Sequence, residues 1–314
     1  MPLVKSGGVN IHWETLGTGP PLLMLNGWGA SDEHWGGLLP LLAEHNTLIL
    51  VDNRGVGQSD SPWRPYTADT MADDALAALD AAGYAGQKVN VLGYSLGGVL
   101  AQDFAHHHPE LVNSLTLLDT TPGMPSVPPY FDVPFKAAAW LLRKVATGAS
   151  NVVSSAAHLV GLSHAQAAAP ATAPHTDAPA AAPPAPSAPT LPPVEPEGPD
   201  QPFTWRARIQ QLAALLTYSG IAELHNVRVP TLIMHGTNDE TIPAINANIL
   251  HGLLPTSELE WVQGAPHALF GLPQYVPQVS SSVLGFLAKH PIAAQHVVPA
   301  ASPARSAVEI GGSF

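Results

Sequence analysis

The sequence predicts an α/β fold with a mostly parallel sheet, and three observations carry that expectation. Short apolar runs alternate with helix-forming stretches across the first 120 of the 314 residues, Gly and Pro mark the joins, and one apolar run passes directly into a helical stretch through Gly-Tyr-Ser-Leu-Gly. Strands separated by helices are joined by right-handed crossovers, which lay them parallel and cover both sheet faces.

In order, strands are expected over 9–15, 22–26, 47–52, 89–93 and 115–119, each a short apolar run bounded by turn residues. The stretch 69–82 (DTMADDALAALDAA) carries helix formers with acidic residues in its first turn, where they complement the helix dipole. A second helix over 95–108 is stopped by Pro109. After a Pro-rich turn over 121–129, a helix is expected over 135–146. Residues 165–202 then hold 12 of the 33 prolines, 12 alanines and no Lys or Arg, which predicts a disordered or extended insertion. Helical character resumes over 203–222, strands follow over 231–236 and 258–262, and a last helix covers 278–289. The chain thus divides into a core in two parts, 1–120 and 226–290, a cap over 121–225 that includes the insertion, and a flexible tail over 291–314.

Composition narrows the function. Twelve Lys and Arg against 24 Asp and Glu give a net charge of −12, which disfavours binding to nucleic acid or anionic membranes. With no Cys there is no disulfide framework, thiolate nucleophile or Cys-based metal site. The N-terminal stretch lacks the apolar region of a secretory signal, and no run approaches the roughly 20 apolar residues of a membrane span. A cytoplasmic location is the default expectation.

Gly93, Ser95 and Gly97 in VNVLGYSLGG have Gly-x-Ser-x-Gly spacing, after a predicted strand and before a predicted helix. Such a turn projects a serine hydroxyl outward while small flanking residues avoid clashes. A Rossmann turn is the rival, but GYSLGG lacks its Gly-x-Gly-x-x-Gly spacing. A serine nucleophile needs a base and a carboxylate that orients it, in the chain order Ser, acid, His for this kind of turn. Asp239, just past the strand 231–236, and His267, in the loop after 258–262, stand where that order places them. Asp119, at the end of the strand 115–119, is the competing acid, with capping as its ordinary role. Two amides must hold the oxyanion: that of Leu96, which follows the nucleophile, and one from the loop LNGWGAS, where Trp28 is the candidate. His106, His107 and His108 are consecutive on a helix and point about 100° apart, so they complement the helix dipole rather than share a metal. This chemistry needs no metal and no cofactor.

The motifs LNGWG, VDNRGVGQSD, GYSLGG, GTNDETIP and GAPH, in this order, resemble the α/β-hydrolase superfamily. Within it, VNVLGYSLGGVLAQDFAHHHPE and VPTLIMHGTNDETIP are similar to intracellular medium-chain polyhydroxyalkanoate depolymerases and related lipases. The resemblance implies the α/β-hydrolase fold, with a mostly parallel sheet covered by helices on both faces and a helical cap inserted after the sixth strand. It implies a serine carboxylic-ester hydrolase for apolar small-molecule or polymeric esters, with catalytic Ser95, Asp239 and His267 and an oxyanion hole of Trp28 and Leu96. Relatives that act on haloalkanes or epoxides use an Asp nucleophile, against which Ser95 stands. Alternatives are a lactone or enol-lactone hydrolase, a cofactor-free perhydrolase or haloperoxidase, and a ligand-binding protein that keeps the fold. In the cap, Tyr130, Phe131, Phe135, Trp140 and Trp205 are the candidate lining of an acyl pocket. The Pro- and Ala-rich insertion departs from the family.

Overall fold

A computed structural model of the chain describes residues 2–126 and 205–293. Strands β1 (Leu3–Ser6) and β2 (Val9–Leu16) form an antiparallel hairpin through Gly7 and Gly8, both at positive φ. Next come β3 (Pro21–Leu25), helix α1 (Leu38–Ala43), β4 (Thr47–Val51) and α2 (Ala68–Leu79). Strand β5 (Val89–Tyr94) leads into α3 (Leu96–His107), followed by β6 (Val112–Leu118). Beyond the undescribed stretch lie α4 (Trp205–Thr217), β7 (Thr231–Gly236), α5 (Ile245–Leu253), β8 (Ser257–Val262) and α6 (Val276–Lys289). The eight strands form one sheet in the order β1-β2-β4-β3-β5-β6-β7-β8; β1 and β2 run antiparallel to their neighbours and the rest are parallel.

Alternation along the central strands sends side chains to both faces. Leu23, Leu25, Ile49 and Val51 join a core with α2, α3, α4 and α5, while Leu22, Met24, Leu48 and Leu50 join a core with α1 and α6. Every residue of β3 is buried, as a strand covered on both faces requires.

Sequence reasoning passed over β1, α1 and α5. Strand β1 has an exposed Leu3 and Lys5 and owes its form to pairing with β2. Helix α1 spans six residues and contains Pro40, tolerated because the first helical turn has no intrahelical acceptor for its missing N–H. Helix α2 opens on Thr67, whose hydroxyl accepts from the Thr70 amide at 3.2 Å. The expected end at 82 falls in a wider turn, Asp80–Tyr84, that Gly83 breaks at φ 91°.

The segment after β6 and the segment after α4 meet in a short clasp: Met124 N–H donates to Tyr218 O and Gly220 N–H to Pro122 O, both at 2.9 Å, around an antiparallel bridge of Gly123 with Ser219. A side chain at Gly123 would press on Tyr218 O, 2.5 Å from the added carbon. The expected helix over 135–146, the insertion over 165–202, Tyr130, Phe131, Phe135, Trp140 and nearly all of the 291–314 tail lie outside the described residues. Among the described residues no helix is long and apolar enough to cross a membrane.

Candidate active site

Strand β5 turns into α3 at Ser95, which adopts φ 53° and ψ −119°, a conformation that L residues rarely adopt. Neighbours hold it there. Ser95 N–H donates to Leu118 O at 3.0 Å, and Ser95 O accepts from Gly98 N–H at 2.9 Å and from the Thr120 hydroxyl at 2.7 Å. The flanking glycines are dictated by the close passage of backbones. A Cβ at Gly93 would lie 2.2 Å from Gly97 O, and one at Gly97 would lie 1.9 Å from Leu25 O. Helix α3 starts at Leu96, so first-turn amides without intrahelical acceptors sit beside the Ser95 hydroxyl.

His267 comes from the loop after β8, with Nε2 3.1 Å from Ser95 Oγ and Nδ1 2.7 Å from Asp239 Oδ2. Asp239 stands past the end of β7, its side chain fully buried, and its Oδ1 accepts from the amides of Thr241 and Ile242, each at 2.8 Å. Burial alone would raise the pKa of this carboxyl. Hydrogen bonds from His235 and His267, with the charge of His267, outweigh it and hold the pKa at about 2. An ionised carboxylate only accepts, so Nδ1 of His267 carries the proton and bare Nε2 faces the serine hydroxyl. The His267 ring packs 5.2 Å from that of Tyr94, which Phe270 and Trp35 back in turn.

Asp119, the competing acid, does not face the histidine's Nδ1. It ends β6 at φ 44°, completely buried, and its two oxygens accept from Gly236 N–H and Leu269 N–H, both at 2.9 Å. Those amides flank the acid and base loops, so Asp119 ties both to the sheet. Burial raises its pKa, against the charges of His267 and His235.

The loop after β3 lies against the nucleophile: a Cβ at Gly27 would meet the Tyr94 ring at 2.6 Å and Ser95 Cβ at 3.4 Å. Asn53 donates to Asn26 O at 2.9 Å, and Asn26 donates to Val51 O at 3.2 Å, fixing the loop's start. Trp28 is partly exposed, and its indole N–H donates to Arg208 O at 2.9 Å. Gly29 N–H donates to Gln211 Oε1, and Gln211 Nε2 donates to Arg54 O, both at 3.0 Å. The fully buried Gln211 of α4 therefore pins this loop, a contact that sequence reasoning missed because nothing in RIQQLAA marks it. Trp205, the one candidate lining residue among those described, is 56% exposed, with the Arg206 guanidinium 5.3 Å from its ring.

The three consecutive histidines take separate partners: His106 faces Glu223 at 3.6 Å, His107 Nδ1 meets Asp103 O at 3.1 Å and His108 faces Glu110 at 3.9 Å. Among the described residues two clusters bring three potential metal ligands together, Asp69 with Asp103 and His107, and Asp119 with His235 and Asp239. In the first, His107 Nδ1 is engaged by a main-chain carbonyl; in the second, both carboxylates already accept main-chain amides.

The chain matches the family profile described as alpha/beta hydrolase fold over residues 20–272. It is 31% identical over 241 residues to a poly(3-hydroxyalkanoate) depolymerase from Ectopseudomonas oleovorans, covering 76% of this chain and 75% of that one. It is 38% identical over 127 residues to a soluble epoxide hydrolase from Corynebacterium sp. (strain C12), a match that spans 40% of this chain and only 44% of that protein. The solved structure of a hydrolase from Pseudomonas aeruginosa PA01 is similar with a TM-score of 0.66 at 23% identity, covering 91% of this chain and 97% of that one, a likeness of fold alone.

Proposed function

As the chain belongs to the alpha/beta hydrolase fold family, we propose that it is a serine hydrolase of carboxylic esters with apolar acyl groups. The observation that carries this reading is the line from Ser95 Oγ to His267 Nε2 at 3.1 Å and from His267 Nδ1 to Asp239 at 2.7 Å. Ser95 Oγ attacks the acyl carbon as its proton passes to Nε2 of His267. Asp239 fixes the tautomer and stabilises the imidazolium. The amides of Leu96 and Trp28 receive the charge that develops on the carbonyl oxygen. His267 then returns the proton to the leaving alcohol, and water cleaves the acyl-enzyme by the same route in reverse.

The chemistry of the nucleophile favours esters over epoxides. Attack by Ser95 on an epoxide carbon would leave an alkyl ether, with no carbonyl for water to attack, and turnover would stop. The depolymerase relative supports a hydroxyacyl ester or polyester as substrate. Selection of the acyl chain is assigned to the cap over 121–225, where Tyr130, Phe131, Phe135, Trp140 and Trp205 supply the aromatic side chains.

A panel of p-nitrophenyl esters of increasing acyl length, lactones and polyester emulsions tests this reading. The unaltered protein should turn over medium-length esters fastest, and Ser95→Ala should lose at least about a thousandfold in kcat with its melting temperature kept. Ester hydrolysis that survives Ser95→Ala overturns the assignment, and a profile that peaks at acetate overturns the acyl preference.

A further inference from the structure

A second histidine reaches the carboxylate of Asp239 from within the sheet. His235 lies in β7 among the buried residues Leu232, Ile233 and Met234, and its side chain has no solvent exposure. Its Nε2 is 2.8 Å from Ile242 O and 3.3 Å from Asp239 Oδ2, the same oxygen that takes His267 Nδ1 at 2.7 Å. A carbonyl and a carboxylate oxygen both only accept, so Nε2 carries a proton, directed to Ile242 O with Asp239 Oδ2 next to it. Nδ1, on the opposite side of the ring, reaches no hydrogen-bond partner among the described residues.

An imidazole is a poor choice for packing alone at this position. The surrounding strand is apolar, and a buried polar atom without a partner is a net cost that leucine would not incur. What the imidazole adds is a ring N–H within 3.3 Å of the catalytic acid. It also spans the turn that carries the acid, because Gly236 is held by Asp119 at one end and Ile242 by His235 at the other.

We propose that His235 is a positioning residue for the triad: its Nε2–H holds the turn of Asp239 through Ile242 O and shares Oδ2 with His267, which limits how strongly Asp239 retains the proton of His267. The inference rests on the serine-hydrolase reading above. Among the described residues, the titratable groups around this carboxylate are His235 from β7, His267 from the loop after β8, Asp119 from the end of β6 and Tyr94 from the end of β5. Burial, reinforced by the charges of Asp119 and Asp239, pushes the Tyr94 phenol far above its ordinary range, so it stays neutral where the enzyme works. For Asp239 itself, the His235 hydrogen bond is the largest influence opposing burial.

The sign of the effect follows. With the second donor gone, Oδ2 belongs to His267 alone and the imidazolium is better stabilised. The acid limb of kcat/KM reports that group in the free enzyme.

The test compares pH profiles of kcat/KM on a p-nitrophenyl ester for the unaltered protein, His235→Leu and His235→Gln, the last keeping a neutral N–H donor. The acid limb of His235→Leu should move up by about half to one pH unit, while that of His235→Gln stays near its original place. A Leu variant whose limb coincides with the original, whatever its rate or melting temperature, overturns the proposal, as does a Gln variant that shifts as far as the Leu variant. Nitrogen-15 imidazole spectra of the unaltered protein decide the matter if the variants do not fold: a protonated His235 Nε2 is expected, and a bare one refutes the shared donor. Ester turnover that persists in Ser95→Ala would instead overturn the serine-hydrolase reading, a result separate from all of these.

Discussion

At Gly97 the added carbon of an alanine would lie 1.9 Å from the carbonyl oxygen of Leu25, main chain that cannot swing aside. Gly97→Ala should therefore destabilise the protein by about 2–4 kcal/mol, read as a lower urea midpoint with an unchanged slope. A midpoint equal to the original would mean that the strand-to-helix turn is looser than its contacts imply. The clash at Gly97 is with a distant strand, but the one at Gly93, whose added carbon would lie 2.2 Å from Gly97 O, is local in sequence, and that is why the turn was legible: Gly93, Ser95 and Gly97 are spaced by the sterics of a single bend. Asp239 and His267 were legible for a related reason, since each lies just beyond an apolar strand, at the sheet's carboxyl end. His235 was not. Inside TLIMHG a histidine reads as one more core residue, and its partner is reached only because the chain doubles back between 236 and 242. A titratable residue in an apolar strand directly before the acid's turn was the available signal. The two oxygens of Asp119 were equally hidden, because their partners lie 117 and 150 residues away.

The β2 and β4 strands carry a pH dependence of their own. His12 on β2 has Nδ1 2.9 Å from Asp52 and Nε2 3.3 Å from Glu14, with its side chain 5% exposed. Burial lowers its pKa, but hydrogen bonds and charge from the two carboxylates overcome this and raise it to about 9. A pKa raised on folding stabilises the fold fully below the unfolded value near 6.5, and the benefit fades as the pH climbs through 9. The contribution is about 3 kcal/mol. Melting temperature should therefore fall between pH 6.5 and 9.5 in the unaltered protein and stay flatter in His12→Leu; parallel curves would show that the imidazole is not charged. At this scale the sequence was readable where periodicity ran long, as in α2, α3 and α6, and unreadable where an element borrows its stability. Helix α1 is six residues with a proline, and α5 (INANILHGL) places asparagines and β-branched residues where helix formers would announce it. Both are helices because the sheet offers an apolar face to cover.

Across the molecule, the composition bias of the sequence is concentrated in one place, the Pro- and Ala-rich stretch over 165–202. Deleting those residues should leave kcat/KM on a short p-nitrophenyl ester within about threefold of the original, because a segment of this composition has little apolar surface with which to shape a site. A loss beyond tenfold would assign the stretch a part in the reaction. The alternation of strands and helices made the class and the family resemblance readable from sequence, whereas strand order depends on pairings between distant segments, such as β6 with β7, that no local pattern encodes. The clasp at Gly123 and Ser219 has an evolutionary consequence. Because the backbones on either side of Gly123 and Ser219 are already hydrogen-bonded to each other, the sequence between them is closed by main-chain contacts at both ends. Closing a loop costs only about 0.6 kcal/mol more for each doubling of its length. The scaffold that holds the triad is thus buffered against added length ahead of α4, so new specificities can be acquired there by insertion as long as α4 keeps its Gln211 contacts.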